Sequence, residues 1–196
     1  MGGYGVVSDV SKTLAKALSD GMVDPGPPEV ILIGKDQVGL ASPADASDLS
    51  LRLTFYLYQV EENEYMKNGE HRQIDPTLYE RPPLALDLYF LLTAHPATGN
   101  DGDDDTETHV ILGRAMQILQ NTTVVTSSDN DEEAYVSLYP QSVDQIANLF
   151  PEKGFWPSVP YLVTPVIIEP TEQKTVIPVV ERHIGRPEMP TEDGEE

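Results

Sequence analysis

Four histidines, two acidic runs and one glycine–lysine pair are the residues of this chain whose types could do chemistry. His71, His95, His109 and His183 are scattered, with no short-range pair to hold a metal or pass a proton. Asp101-Gly102-Asp103-Asp104-Asp105 and Asp129–Glu133 carry the charge of a calcium loop. Neither keeps the alternating ligands, central glycine and distal glutamate that coordination needs, so both read as solvated acidic loops. Gly34-Lys35 follows an apolar stretch, but the first glycine and the hydroxyl of a phosphate-binding loop are missing. There is no G-x-S-x-G and no H-E-x-x-H. The chain has no cysteine, which excludes disulfides, thiol catalysis and Cys-ligated zinc. The expectation is a protein without catalytic residues, cofactor or metal.

Charge narrows the partners. The 196 residues hold 33 acidic and 12 basic side chains, a net charge of −21. Nucleic-acid backbones need clustered Lys and Arg, so no nucleic-acid partner is expected. No apolar run approaches the roughly 18 residues of a membrane helix, so no membrane partner is expected. The opening residues, Met1 to Asp9, have no basic region ahead of an apolar core. No secretory signal is therefore expected, assembly is placed in the cytoplasm, and the Asn121-Thr122-Thr123 glycosylation triplet is expected to stay unused. The dense acid has two readings: a halophilic source, where such a surface stays hydrated and screened, or an ordinary acidic protein with solvated loops.

The elements that would position these residues follow from periodicity. Leu84, Leu86, Leu88, Phe90 and Leu92 recur every second residue behind Arg81-Pro82-Pro83. They predict a long strand with one buried and one mixed face, its prolines at the start where no ladder bond is lost. Leu49, Leu51, Leu53, Phe55 and Leu57 predict a second long strand, with Arg52 on its other face able to pair with Asp87. Val7, Val10, Leu14, Ala17 and Leu18 predict a helix over about residues 5–20, stopped by Gly21. Ile111, Leu112, Ala115, Met116, Ile118 and Leu119 predict a second helix capped by Asp104 or Thr106, with Gly113 placed for close packing on a sheet. Ser142 and Gln145 form a capping box for a short third helix built on Val143, Ile146, Leu149 and Phe150, with Trp156 plugging the core beside it. Glu29–Ile33, Val124-Val125, Ala134–Tyr139 and Tyr161–Glu169 are further strands, the last at an edge because of Pro165. Residues 35–48 and 61–80 read as loops, the second a polar excursion.

Composition changes after Pro170. Residues 1–170 read as one α/β domain, 171–184 as a C-terminal strand arm, and 185–196 as a disordered acidic tail. The arm's Val176, Ile177, Val179, Val180, Arg182 and Ile184 are the candidate protein interface, since five apolar residues are too many for a free tail. Pro178 excludes a central position. Two routes satisfy the backbone. Either Pro170–Gln173 turns the chain back onto Tyr161–Glu169, or the arm adds a strand to a neighbouring chain.

Four stretches in this order carry a resemblance: Tyr4-Gly5-Val6-Val7 with Val10, Leu51–Asn63, Arg81–Tyr89 and His109–Met116. Together they resemble the terminal cap, or tail-terminator, proteins of extracellular contractile injection systems, phage-tail-like particles of the antifeeding-prophage type. The resemblance covers most of residues 4–169. It implies a single mixed α/β (α+β) domain with a mostly antiparallel sheet and three helices, like a phage tail terminator. It further implies a homohexameric ring whose partners are the terminal tube protein and the last sheath layer, within a released or intracellular particle. Phe150–Trp156 and the acidity depart from the family's pattern. A tail terminator joining the tail and head of a virus is the alternative, and an enzyme of unknown type is the third reading.

The acid excess has a measurable consequence. Self-repulsion between exposed carboxylates is screened as the Debye length shrinks to about 3 Å at 1 M salt. Melting midpoints are expected to rise from low millimolar to molar NaCl. A midpoint that stays flat or falls removes the halophilic reading.

Overall fold

A computed structural model describes residues 3–23, 33–67, 69, 72–75, 77–97, 106–126, 132–149 and 156–175. In chain order the elements are α1 (Val6–Val23), β1 (Val38–Gly39), β2 (Leu53–Glu62), β3 (Arg72–Asp75), β4 (Leu78–Glu80), β5 (Leu84–Ala94), α2 (Thr106–Asn121), β6 (Val124–Thr126), β7 (Glu133–Leu138), α3 (Val143–Ala147), β8 (Ser158–Ile168) and β9 (Gln173–Thr175). A six-stranded sheet has the order β1-β2-β5-β8-β7-β6, and a three-stranded sheet the order β3-β4-β9. Among the described strands only β1 and β2 pair in parallel. The architecture is the expected mixed α/β domain with three helices and a mostly antiparallel sheet.

The period-two run sets the layers. Leu86, Leu88, Phe90 and Leu92 of β5 face α1 and α2 in one apolar core. α1 supplies Val6, Val10, Leu14, Leu18 and Met22 at helical spacing, and α2 supplies Ile111, Ala115, Ile118 and Leu119. Phe55 of β2 stacks flat on Phe90, centroids 4.5 Å apart. Each such side chain contributes roughly 1.5–3 kcal/mol when removed from water. The other face of β5 is not mixed but buried along most of its length: Ala85, Tyr89, Leu91 and Thr93 are all nearly inaccessible.

Several boundaries depart from expectation for physical reasons. β2 begins at Leu53, because Ser50 adopts a positive φ of 55° in a turn that leaves Leu49 exposed. A bulge at Tyr58 shifts the β2–β5 register, so Val60, opposite Leu88, resumes the helix-facing side. Residues 35–48 contain β1 and two short 3-10 turns, and residues 61–80 contain the β3–β4 hairpin.

β8 is not an edge strand. It lies between β5 and β7, hydrogen-bonded to both. Pro165 is tolerated there because the ladder slips at that point: Leu86 pairs with Val166 and Leu88 with Val163, leaving Thr164 and Pro165 opposite Asp87. The last β7 partner is Thr164, so the missing N–H breaks no pair on that side either.

The chain does not turn back after Pro170. β9 runs on and pairs antiparallel with β4, Leu78 to Thr175 and Glu80 to Gln173. β4 leads into β5 and β8 into β9, so this pairing prolongs the β5–β8 ladder past a bend at Pro82-Pro83 and Pro170. The return onto Tyr161–Glu169 is therefore ruled out for residues 173–175. The expected strand Glu29–Ile33, apart from buried Ile33, lies outside the described residues, as do Asp104, Phe150 and residues 176–196.

Both helical glycines were misplaced by sequence. Gly21 sits inside α1, where an added Cβ would lie 2.7 Å from Ile118 of α2. Its carbonyl accepts from the Arg114 guanidinium at 3.2 and 3.3 Å. Gly113 is exposed on α2 with open space around it, not packed on the sheet. Gly113→Ala is expected to stabilise the domain by about 1 kcal/mol. Gly21→Ala is expected to destabilise it by about 1–3 kcal/mol through overpacking at the helix crossing. Urea denaturation of the two variants checks the opposite signs.

Candidate interaction surfaces and buried polar sites

Two polar clusters lie within the sheet. At one end, Arg52 precedes β2 and His95 follows β5, both nearly buried. The Arg52 Nε donates to the His95 carbonyl at 3.0 Å, and its Nη2 lies 3.0 Å from Glu107 Oε1 at the start of α2. Arg52 therefore pairs with Glu107, not with Asp87. His95 Nε2 meets the Thr54 hydroxyl at 3.0 Å, and Trp156 sets its ring edge-on to the imidazole at 6.0 Å. Trp156 does not plug the core; it is half-exposed beside His95.

A hydroxyl beside a histidine is half of a nucleophilic pair, but this one cannot act as such. The side chain that flanks the imidazole is the Arg52 cation rather than a carboxylate. Burial, then the Arg52 charge, push the His95 pKa from 6.5 down to about 4. An activated nucleophile needs the opposite, a partner that stabilises imidazolium. Thr54 is fully buried, leaving no room for a substrate. The cluster fastens β2, β5 and α2 together.

The second cluster surrounds Asp87 on the far face. Asn63 Nδ2 donates to Asp87 Oδ1 at 2.8 Å, and the Thr164 hydroxyl donates to the same oxygen. Asn63 Oδ1 accepts from the backbone N–H of Tyr65 and of Met66, both at 3.1 Å. This Asx turn ends β2 and ties its end to the ladder slip. The Tyr89 hydroxyl donates to Glu61 at 3.1 Å, and its ring lies edge-on to Tyr139 with centroids 4.9 Å apart. Burial and the bond to Glu61 raise the Tyr89 pKa, so the phenol stays protonated.

Among the described residues no group of His, Asp and Glu could hold a metal, and no helix is long and apolar enough to cross a membrane. His109 is exposed on α2. The runs 101–105 and 129–131, His71, His183 and the candidate interface Val176, Ile177, Val179, Val180, Arg182 and Ile184 lie outside the described residues.

What remains for function is surface. α3 buries Ile146 but leaves Val143 exposed; Leu149 just after the helix and Leu138 on β7 are exposed as well. β1 is short and pairs with β2 at Leu53 and Thr54. A groove lined by Tyr4, Val7, Ser8, Lys12, Leu40 and Leu57 lies between α1 and β2.

The chain matches the family model described as the Pvc16 N-terminal domain over residues 9–182. No curated protein matches it. Two solved structures are similar in fold. One is described as the PVC sheath/tube terminator of an extracellular contractile injection system in its extended state, by cryo-EM; it is 16% identical, with a TM-score of 0.55. The other is described as the anti-feeding prophage cap, a tube-terminating cap; it is 17% identical, with a TM-score of 0.60. The matches cover 93% and 91% of this chain but only 65% and 61% of those chains, less than two thirds of their length.

His95 makes the fold acid-sensitive. Its folded pKa of about 4 lies below the unfolded value of 6.5, so between these pH values the unfolded chain takes up the proton first. The stability it contributes is present above about pH 6.5 and is lost as pH falls toward about 4. The loss is on the order of 2–3 kcal/mol at most. His95→Gln, which cannot titrate there, is expected to show a shallower fall in melting midpoint between pH 7 and pH 4.5 than the parent.

Proposed function

The chain belongs to the family of Pvc16 N-terminal domains, and we propose that it is a structural cap of a phage-tail-like contractile injection particle. In this reading it terminates the inner tube and the contractile sheath at the distal end, as a six-fold ring. It is assembled in the cytoplasm and stays with the released or intracellular particle. The family match over residues 9–182 carries the reading. The likeness in fold to a sheath/tube terminator and to a tube-terminating cap supports it.

The polar chemistry agrees with a protein that binds rather than catalyses. His95, buried among the described residues, is held neutral by its burial and by the nearby Arg52 charge. The apolar side chains that remain exposed, among them Tyr4, Tyr65, Leu138, Tyr135 and Val143, are contact material. A ring on a tube needs the same heterologous contact repeated around an axis.

Cryo-EM of particles purified at high salt tests this. The expected result is six copies at the end away from the spike, and tubes of uneven length when the gene is deleted. A copy number other than six removes the ring. A position between a tail and a capsid replaces the injection particle with a virion.

A further inference from the structure

Two features of the surface complement each other. The first is the groove between α1 and β2, of about 440 Å³. Tyr4, Val7, Leu40 and Leu57 line it, and Ser8 and Lys12 add the exposed polar groups of α1. Binding sites have this make-up, mostly apolar with a few polar groups that fix orientation. Its charge is a lysine's. Of the four lysines whose side chains are described, Lys35 pairs with Asp20 and Lys67 with Glu62. Lys16 acts on Asp20 as well. Lys12 forms no salt bridge among the described residues, so the groove suits an apolar group that carries a carboxylate beside it.

The second feature is the turn after β2, Glu64-Tyr65-Met66. Tyr65 is 97% exposed and Met66 45% exposed, with Glu64 exposed beside them. The turn that carries them is fixed from below. Asn63 is buried, its Oδ1 accepts from the N–H of Tyr65 and of Met66, and its Nδ2 donates to Asp87 and, at 3.1 Å, to the Thr164 hydroxyl. The Lys67–Glu62 pair spans its base at 3.0 Å. An aromatic ring held out in water on an ordered turn is an anchor whose ordering entropy is already spent. Glu64 makes no salt bridge among the described residues, so the knob presents apolar surface with a carboxylate beside it. Glu62, where the turn begins, lies five residues beyond Leu57, roughly 15 Å along the strand. Knob and groove are thus separate patches, and the exposed Tyr65 does not fill the groove of its own subunit.

We propose that Tyr65 of one copy seats in the α1–β2 groove of a second copy, with Met66 beside it and Glu64 against Lys12. The apolar area supplies the attraction, since the net charge of −21 supplies only repulsion. The Lys12–Glu64 pair sets the orientation of the contact. Each copy donates one knob and accepts another, a heterologous contact that closes into a ring when the rotation allows. This names a contact for the ring of the cap reading but does not depend on where the ring sits. Particles with six copies and no knob–groove contact would keep the cap and remove this inference.

The absence of cysteine makes the test clean. Full-length Ser8→Cys, labelled in the groove, is mixed in 1 M NaCl with full-length Met66→Cys, labelled on the knob. A short bis-maleimide bridges neighbouring thiols, and intact mass identifies the products. Mixed dimers are expected, and none when Val143→Cys replaces Ser8→Cys. Adding Tyr65→Ala to the knob partner is expected to abolish them while leaving its melting midpoint unchanged. At 0.3 M NaCl, Lys12→Glu on the groove partner is expected to lower the yield several-fold, and Glu64→Lys on the knob partner to restore it. If no mixed dimer forms at high concentration, the groove takes some other partner and the proposal falls. It falls equally if the Val143→Cys control cross-links as well, if Tyr65→Ala leaves the yield intact, or if the charge exchange restores nothing. A drop in melting midpoint with Tyr65→Ala would place the ring in its own subunit and overturn the proposal.

Discussion

A strand covered on both faces must find all its backbone partners in neighbouring strands, because no water reaches it. β5 is that strand here. β2 and β8 satisfy its two edges, α1 and α2 cover one face, and the Tyr89–Tyr139 and Asn63–Asp87 contacts lie on the other. Most other features follow from keeping this one ladder closed. The slip opposite Thr164 and Pro165 puts Asp87 where backbone pairing lapses, and side-chain donors from β8 and from the turn after β2 take over. A carboxylate so placed is held by hydrogen bonds, which is the condition under which burial of charge is tolerable.

The same ladder explains how the two sheets relate. β4 and β9 prolong β5 and β8 past a pair of proline bends. Prolines donate no bond, so they fall where the ladder is already interrupted. The small sheet is thus the frayed, redirected end of the large one.

Charge and assembly pull in opposite directions. A net charge of −21 keeps copies apart at low salt. Any contact with another acidic surface then has to rest on apolar area and hydrogen bonding rather than on charge. The buried Arg52, by contrast, is spent inside the subunit, where its Glu107 and His95 partners join α2 to both strands.

Much of the fold could be read from residue order alone. Period-two leucines marked β5, the Ser142–Gln145 capping box marked α3, and spaced aliphatics marked α1 and α2, because burial of one face imposes a period on a local segment. The absence of catalytic motifs was likewise a matter of residue types. Residue order did not reveal what each face or edge would meet. Gly21 reads as a helix stop until Ile118 is seen to need the space. Pro165 reads as an edge signal until the ladder slip is seen to absorb it. Arg52 looked toward Asp87 because alternation puts them on similar faces, but their register positions lie far apart and α2 brings Glu107 instead. His95 showed nothing until Thr54, Arg52 and Trp156 closed around it. Local periodicity determined the elements; partners across a ladder or a helix crossing are long-range, and only the tertiary packing decided them.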